Sequence, residues 1–149
     1  GGFDYYLRWP GFNIPSWVLD DLRAGALGPL RPQEEALLAV VPQDSKPHYI
    51  IGTCERDQET LDHEMAHGLY ATNPEYKERV QAALEDLPPK VRGEMRKSLI
   101  GMGYVDDPEI IRDEMQAYLA EGGCLGGGGA NVARSKIQAI FSRFAGAKT

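Results

Sequence analysis

Five consecutive residues, His63-Glu64-Met65-Ala66-His67, spell HExxH, a pattern in which two imidazoles and a carboxylate act on one metal ion. On a helix, positions four apart lie one turn above each other. Both imidazoles then face one point, and the glutamate between them sits beside a water on that ion. The chemistry this predicts is metal-dependent hydrolysis, with His63 and His67 as ligands and Glu64 as general base. The competing reading is two partly exposed histidines on an ordinary helix. The motif takes two of only three histidines in the chain.

Two histidines do not hold a catalytic zinc alone; three protein ligands and one open water position are usual. The extended form HExxHxxGxxH would place the third at position 73, which is Asn73, with Tyr70 where its glycine would stand, so the metzincin pattern is excluded. A carboxylate on a later helix is the alternative, and helical phase selects Glu114. It shares a stripe with Ile110, Ile111, Ala117 and Tyr118, an apolar surface where an unpaired carboxylate is costly and a cation is the natural compensation. Glu109 and Asp113 lean toward Arg112 and Gln116 and read as solvated; Glu121 falls near the helix end. A buried salt bridge, or a partly solvated helix acid, is the other reading of Glu114. Hydrolysis also needs a donor for the oxyanion, for which Tyr104, Tyr118, Tyr70 and His48 are candidates, each with a plain structural reading beside it.

The elements that position these groups are marked by breakers and caps. The motif helix is expected to open near Asp57 or Thr60 and to run to about Thr72, packing through Leu61, Met65, Gly68, Leu69 and Thr72. Asn73 caps the next helix and Pro74 begins it; Pro88-Pro89 hinges into a helix ending at Gly101 to Gly103. Asp107-Pro108-Glu109 starts the helix of Glu114, and Gly122-Gly123 ends it. Upstream, Ala36 to Val41 and His48 to Thr53 read as an antiparallel hairpin with a six-residue loop, Pro42 to Pro47. Residues 1–30 read as an irregular aromatic arm around one short helix near Ser16 to Ala24, with Ser16 as its cap. Phe3, Tyr5, Tyr6, Trp9, Phe12 and Trp17 of this arm are core aromatics or the lining of a specificity pocket. Residues 122–130 read as a glycine-rich mobile loop, and residues 131–149 as a basic C-terminal helix packing through Val132, Ile137, Ile140, Phe141 and Phe144.

A chain of 149 residues, 42% hydrophobic and 26% charged, is expected to make one soluble α+β domain. No apolar stretch is long enough to span a bilayer, so no membrane partner is expected. The opening Gly1-Gly2 shows no signal-peptide order and points to a processed or trimmed start. The net charge of −6 includes Arg134, Lys136, Arg143 and Lys148 in the last nineteen residues with no acid, which leaves −10 for the rest and disfavours nucleic acid as a partner. Cys54 and Cys124 lack zinc-finger or CxxC spacing, which points to a reducing, cytoplasmic compartment, with one disulfide between them as the alternative. Cys124, in the glycine-rich segment, is also a candidate latch on the metal.

The order strand, HExxH helix, intervening helices, glutamate helix resembles the gluzincin branch of zinc metallopeptidases, and the size is similar to minimal gluzincins. The likeness covers roughly His48 to Glu121, about half the chain. It implies a mainly helical zincin-like domain in which His63, His67 and Glu114 bind one zinc ion, Glu64 is the base, and His48 to Thr53 is an edge strand receiving substrate backbone. The segment Asp113-Glu114-Met115-Gln116-Ala117-Tyr118-Leu119, after an HExxHxLY helix, also resembles segments of uncharacterised metalloproteases. Many gluzincins carry NExxxD at the glutamate ligand; here Tyr118 holds the acid's place, so Asp62, Asp113 and Tyr118 are the candidates for orienting a ligand histidine. The function implied is hydrolysis of protein or peptide bonds by a zinc metalloendopeptidase, with Tyr118 or Tyr104 assisting Glu64; the alternative is a non-catalytic zinc-binding interaction domain.

Overall fold

The computed structural model describes residues 11–26, 28–41, 46–54, 56–123, 125 and 127–146. Over these the protein is a mainly helical α+β structure. It runs β1 (Gly11–Pro15), α1 (Ser16–Arg23), α2 (Pro32–Val40), β2 (Tyr49–Thr53), α3 (Gln58–Thr72), α4 (Pro74–Glu85), α5 (Pro89–Met102), α6 (Pro108–Glu121), a 3-10 turn (Gly127–Ala130) and α7 (Asn131–Ala145). No helix among the described residues is long and apolar enough to cross a membrane.

The helix ends follow local chemistry. Asp57 caps α3, its carboxylate accepting from the Thr60 N–H at 3.1 Å and the Thr60 hydroxyl at 2.7 Å. Asn73 Oδ1 accepts from the Tyr76 N–H at 3.1 Å while Pro74 takes the first position of α4, where a missing N–H costs nothing. Asp107 and Pro108 repeat the device on α6, with Asp107 Oδ1 2.8 Å from the Glu109 nitrogen. Gly103 and Gly122 close α5 and α6 in the left-handed region, at φ 102° and 97°, where a side chain would be strained.

α6 is the pivot of the core, packed against α3, α4, α5 and α7. Ala117 and Leu119 of α6 are fully buried together with Tyr76 and Val80 of α4, Met95 and Leu99 of α5 and Ile137 of α7. On its other flank α3 is covered by a two-stranded antiparallel sheet, β1 on β2, in register from Gly11 opposite Thr53 to Pro15 opposite Tyr49. On the outer face of this sheet the Phe12 ring lies over Gly52, filling the space a Cβ would need.

Several sequence expectations are corrected here. Ala36 to Val41 is not a strand: most of it belongs to α2, whose start combines Pro32 in the first turn with the Glu34 carboxylate, which accepts from the Arg31 N–H and guanidinium. A six-residue apolar run does not distinguish strand from helix, and the capping residues decide it. The partner of β2 is Gly11–Pro15, so the N-terminal arm is ordered into a strand and a helix where it is described. Ser16 is the first residue of α1 rather than its cap, and its hydroxyl instead accepts from the His48 N–H at 3.2 Å. Of the expected packing face of α3, Gly68 is buried and Met65 and Leu69, half-buried, pack against the core; Glu64, Ala66, His67 and Tyr70 are buried as well, because the helix is covered on two flanks. In α7, Val132 is 81% exposed and Ala133 takes the inward position with Ile137 and Phe141. Part of the glycine-rich segment is packed rather than loose: Leu125 and Ala130 are buried, and a Cβ on Gly129 would overlap Val91 of α5. Phe3, Tyr5, Tyr6, Trp9 and Cys124 lie outside the described residues, and Cys54 carries an exposed free thiol.

Candidate metal centre

One turn of α3 brings His63 and His67 together with their Nε2 atoms 3.1 Å apart. Each Nδ1 is held by a carboxylate of α6: Glu121 Oε2 lies 2.8 Å from Nδ1 of His63, and Asp113 Oδ1 lies 2.8 Å from Nδ1 of His67. A carboxylate accepts, so each Nδ1 donates and each Nε2 directs its lone pair toward the other ring. Two nitrogen lone pairs facing each other at this distance repel unless positive charge sits between them, either a proton or a metal ion.

Glu114 completes the constellation from the same face of α6. Its Oε2 is 3.7 Å from Nε2 of both histidines and is buried without a hydrogen-bond partner. An orphaned carboxylate oxygen is costly to bury, and here it shares a point with two imidazole nitrogens, all three ligand atoms lying within 4.8 Å of one another. Two nitrogens, each oriented from behind by a carboxylate, and one unpartnered oxygen make a group that could hold a metal ion.

The same field sets the protonation of the metal-free pair. Burial by itself would lower the His63 pKa, but Glu114 and Glu121 outweigh it and hold the ring up at about 9. His67 is raised likewise: burial opposes, and Asp113 and Glu114 prevail.

Glu64 is buried on the sheet side of α3. Asn13 Nδ2 donates to its Oε2 at 2.5 Å, and Gly11 of the same strand passes so close that a Cβ there would overlap the Thr60 methyl and press on the Glu64 side chain. β1, not β2, therefore lies over this carboxylate. Register alternation puts Tyr49 of β2 on the same sheet face as Gly11 and Asn13, and Tyr49 packs on Gly68 of α3. Between sheet and α6 opens a cleft of ≈ 170 Å³ lined by Asn13, Tyr49, His67, Ile110, Asp113 and Glu114.

Of the oxyanion candidates, the structure brings two to the pair. The Tyr118 ring stands edge-on to His63 at 4.8 Å between centroids, and its hydroxyl is 3.2 Å from that of Tyr104. Burial, the Tyr118 hydroxyl and nearby Glu114 all push the Tyr104 phenol well above its ordinary value, so it stays a donor. Tyr70 instead accepts from Gln81 of α4 at 2.8 Å, and His48 bonds through Nδ1 to the Lys46 carbonyl at 3.1 Å. Asp62 pairs with Gln58 at 2.7 Å and orients neither histidine.

Two partners escaped the sequence reading. Glu121 follows Glu114 by seven residues, two turns along one stripe, and this spacing is the only mark of it in the sequence. Asn13 had no signal, because its place depends on the pairing of a strand separated from α3 by more than forty residues. Asp113, expected to be solvated on one reading and to orient a histidine on the other, does the second; Gln116, fully buried, steadies it at 3.0 Å and also accepts from the Tyr76 hydroxyl at 2.6 Å.

No protein-family profile, curated protein sequence or solved structure matches the chain.

Proposed function

We propose that the protein is a zinc-dependent endopeptidase with a zincin-like, gluzincin-type site, in which His63, His67 and Glu114 hold the metal and Glu64 is the general base. The observation that carries this reading is the orphaned Glu114 Oε2, equidistant at 3.7 Å from two Nε2 atoms whose rings are fixed from behind by Asp113 and Glu121. The donor set fits zinc, which takes imidazole nitrogen and carboxylate oxygen and in catalytic sites leaves one position open. When bound, zinc supplies Lewis acidity that polarises a scissile carbonyl and acidifies a water.

The chain's own groups supply the rest. Glu64, next to His63 on α3, would take the water's proton and return it to the departing amine. Asn13, donating to Oε2, fixes the rotation of that carboxylate. Tyr104 and Tyr118, a hydroxyl pair beside His63, are the donors nearest to hand for charge developing on the carbonyl oxygen. Burial of His67 and Glu64 excludes bulk water from the reacting side of α3. Among the described residues neither strand has a second strand beside it, which leaves sheet edges on which an extended peptide could lie.

The test is metal analysis and peptide hydrolysis on one preparation of native protein and Glu64→Gln. The expected result is one zinc per chain in both, with turnover only in the native protein. Stoichiometric zinc with no turnover in either leaves the zinc-binding interaction domain standing, and no zinc in either removes the metal centre.

A further inference from the structure

Away from the metal centre, α4 and α7 lie side by side and run antiparallel. The Tyr76 ring in the first turn of α4 meets Phe144 in the last turn of α7 at 5.6 Å between centroids, and Asp86, just past α4, takes Lys136 near the start of α7 at 2.6 Å. Two small exposed residues, Ala82 and Ala139, open a trough of ≈ 400 Å³ on their outer surface, with half-buried Ile140 and Phe144 among its walls and Lys136 and Arg143 on its rim. The charges here are sorted by helix. α7 carries no acid; Lys136 has only its exposed pair with Asp86, and Arg143 has no side-chain partner among the described residues. α4 exposes Glu78 and Glu85, whose carboxylates likewise have no partner among the described residues, while Arg79 is taken up by Glu75 at 2.8 Å. Lys136 and Arg143 stand seven residues apart with Ala139 between them, and Glu78 and Glu85 stand seven apart with Ala82 between them. Each spacing is two helical turns, about 10 Å. The Asp86–Lys136 contact sets Glu85 about level with Lys136, so the antiparallel run sets Glu78 about level with Arg143.

We propose that this face binds a second copy of the chain about a two-fold axis parallel to the two helices, so that α4 of each copy lies over α7 of the other. Such a rotation keeps every residue at its height along the axis. It therefore brings Glu85 of one copy to Lys136 of the other and Glu78 to Arg143, and the symmetry makes each contact twice. Ala82 and Ala139 leave room for the helices to approach. With a net charge of −6 two copies repel in most orientations, and this one sets a basic helix against an acidic one. Helices of 12 and 15 residues span about 18 and 22 Å, which side by side offer about 400 Å² per copy, the scale of a weak, reversible pair. None of His63, Glu64, His67 and Glu114 takes part, so the pairing is independent of the peptidase reading.

The test is sedimentation equilibrium of the native protein from about 10 µM to about 1 mM, at low and high salt. The expected result is a monomer–dimer equilibrium that weakens as salt rises. Two charge-reversed chains, one carrying Lys136→Glu with Arg143→Glu and the other Glu78→Lys with Glu85→Lys, are each expected to raise the dissociation constant roughly tenfold or more, with the fold intact by circular dichroism. An equimolar mixture of the two should pair again, because each α4 then faces an α7 of opposite charge. A native protein that stays monomeric throughout overturns the pairing and leaves the trough to an acidic helix of another protein. A dimer indifferent to both reversals, or folded variants that fail to pair when mixed, overturns it as well.

Discussion

Asp113 and Glu114 are adjacent in sequence and address opposite nitrogens of one imidazole: Asp113 Oδ1 lies 2.8 Å from Nδ1 of His67, and Glu114 Oε2 lies 3.7 Å from its Nε2. One turn of α6 therefore both offers a candidate ligand and aims another. Seven residues on, Glu121 does for His63 what Asp113 does for His67. Both imidazoles are thus aimed from a single helix, and on the zinc reading this has measurable consequences.

Removing either orienting charge while keeping shape should loosen the metal. Asp113→Asn and Glu121→Gln are each expected to weaken zinc binding by roughly ten- to a hundredfold, with the fold intact by circular dichroism. Competition titration against a chromophoric chelator measures this. Unchanged affinity in both variants would mean the carboxylates pack against the rings without tuning them.

The metal-free protein should lose stability in alkali. The folded His63 pKa, about 9, lies above the ordinary 6.5, so the folded state binds the proton more tightly than the unfolded chain. That stabilisation is complete below about pH 6.5 and is lost as pH rises through about 9. Zinc competes with the same proton, so its affinity rises across the same window. Thermal melts of chelator-treated protein against pH check the sign; a midpoint that stays flat or rises there contradicts it.

The closeness of β1 to α3 should make Gly11 intolerant. Gly11→Ala places a methyl against the Thr60 methyl and the Glu64 side chain, lifting the strand and carrying Asn13 off the Glu64 carboxylate. Destabilisation of about 1–3 kcal/mol is expected, with a fall in kcat larger than any change in KM. Gly52→Ala is the control: its methyl meets the Phe12 ring on the opposite face, so it should cost stability while sparing turnover per folded molecule. Equal losses of turnover in the two variants would refute a role for this contact.

What was legible in the sequence was local. Asp57, Asn73 and Asp107 announce the starts of α3, α4 and α6, and Gly103 and Gly122 the ends of α5 and α6, because caps and left-handed turns are set by residues a few positions apart. The phase of α6 placed Glu114 inward for the same reason. What was not legible depends on how elements meet. Ala36 to Val41 has the composition of a strand, but Pro32 and the Arg31–Glu34 pair commit it to a helix. The true partner, Gly11–Pro15, is short and bracketed by breakers, and it is a strand only because Tyr49–Thr53 pairs with it. Asn13 and Glu121 reach their partners through that pairing and through the α3–α6 crossing, neither of which leaves a local mark.

The hydrogen bonds running from His67 through Asp113 and Gln116 to the Tyr76 hydroxyl end inside the first turn of α4, itself fixed by Asn73. If the centre holds a metal as proposed, its occupancy is thereby coupled to the rigidity of a helix that carries none of the candidate ligands. Stripping the ion should quicken amide deuterium uptake at the start of α4 before it does so in α5, giving a purely spectrometric report of metallation that needs no substrate.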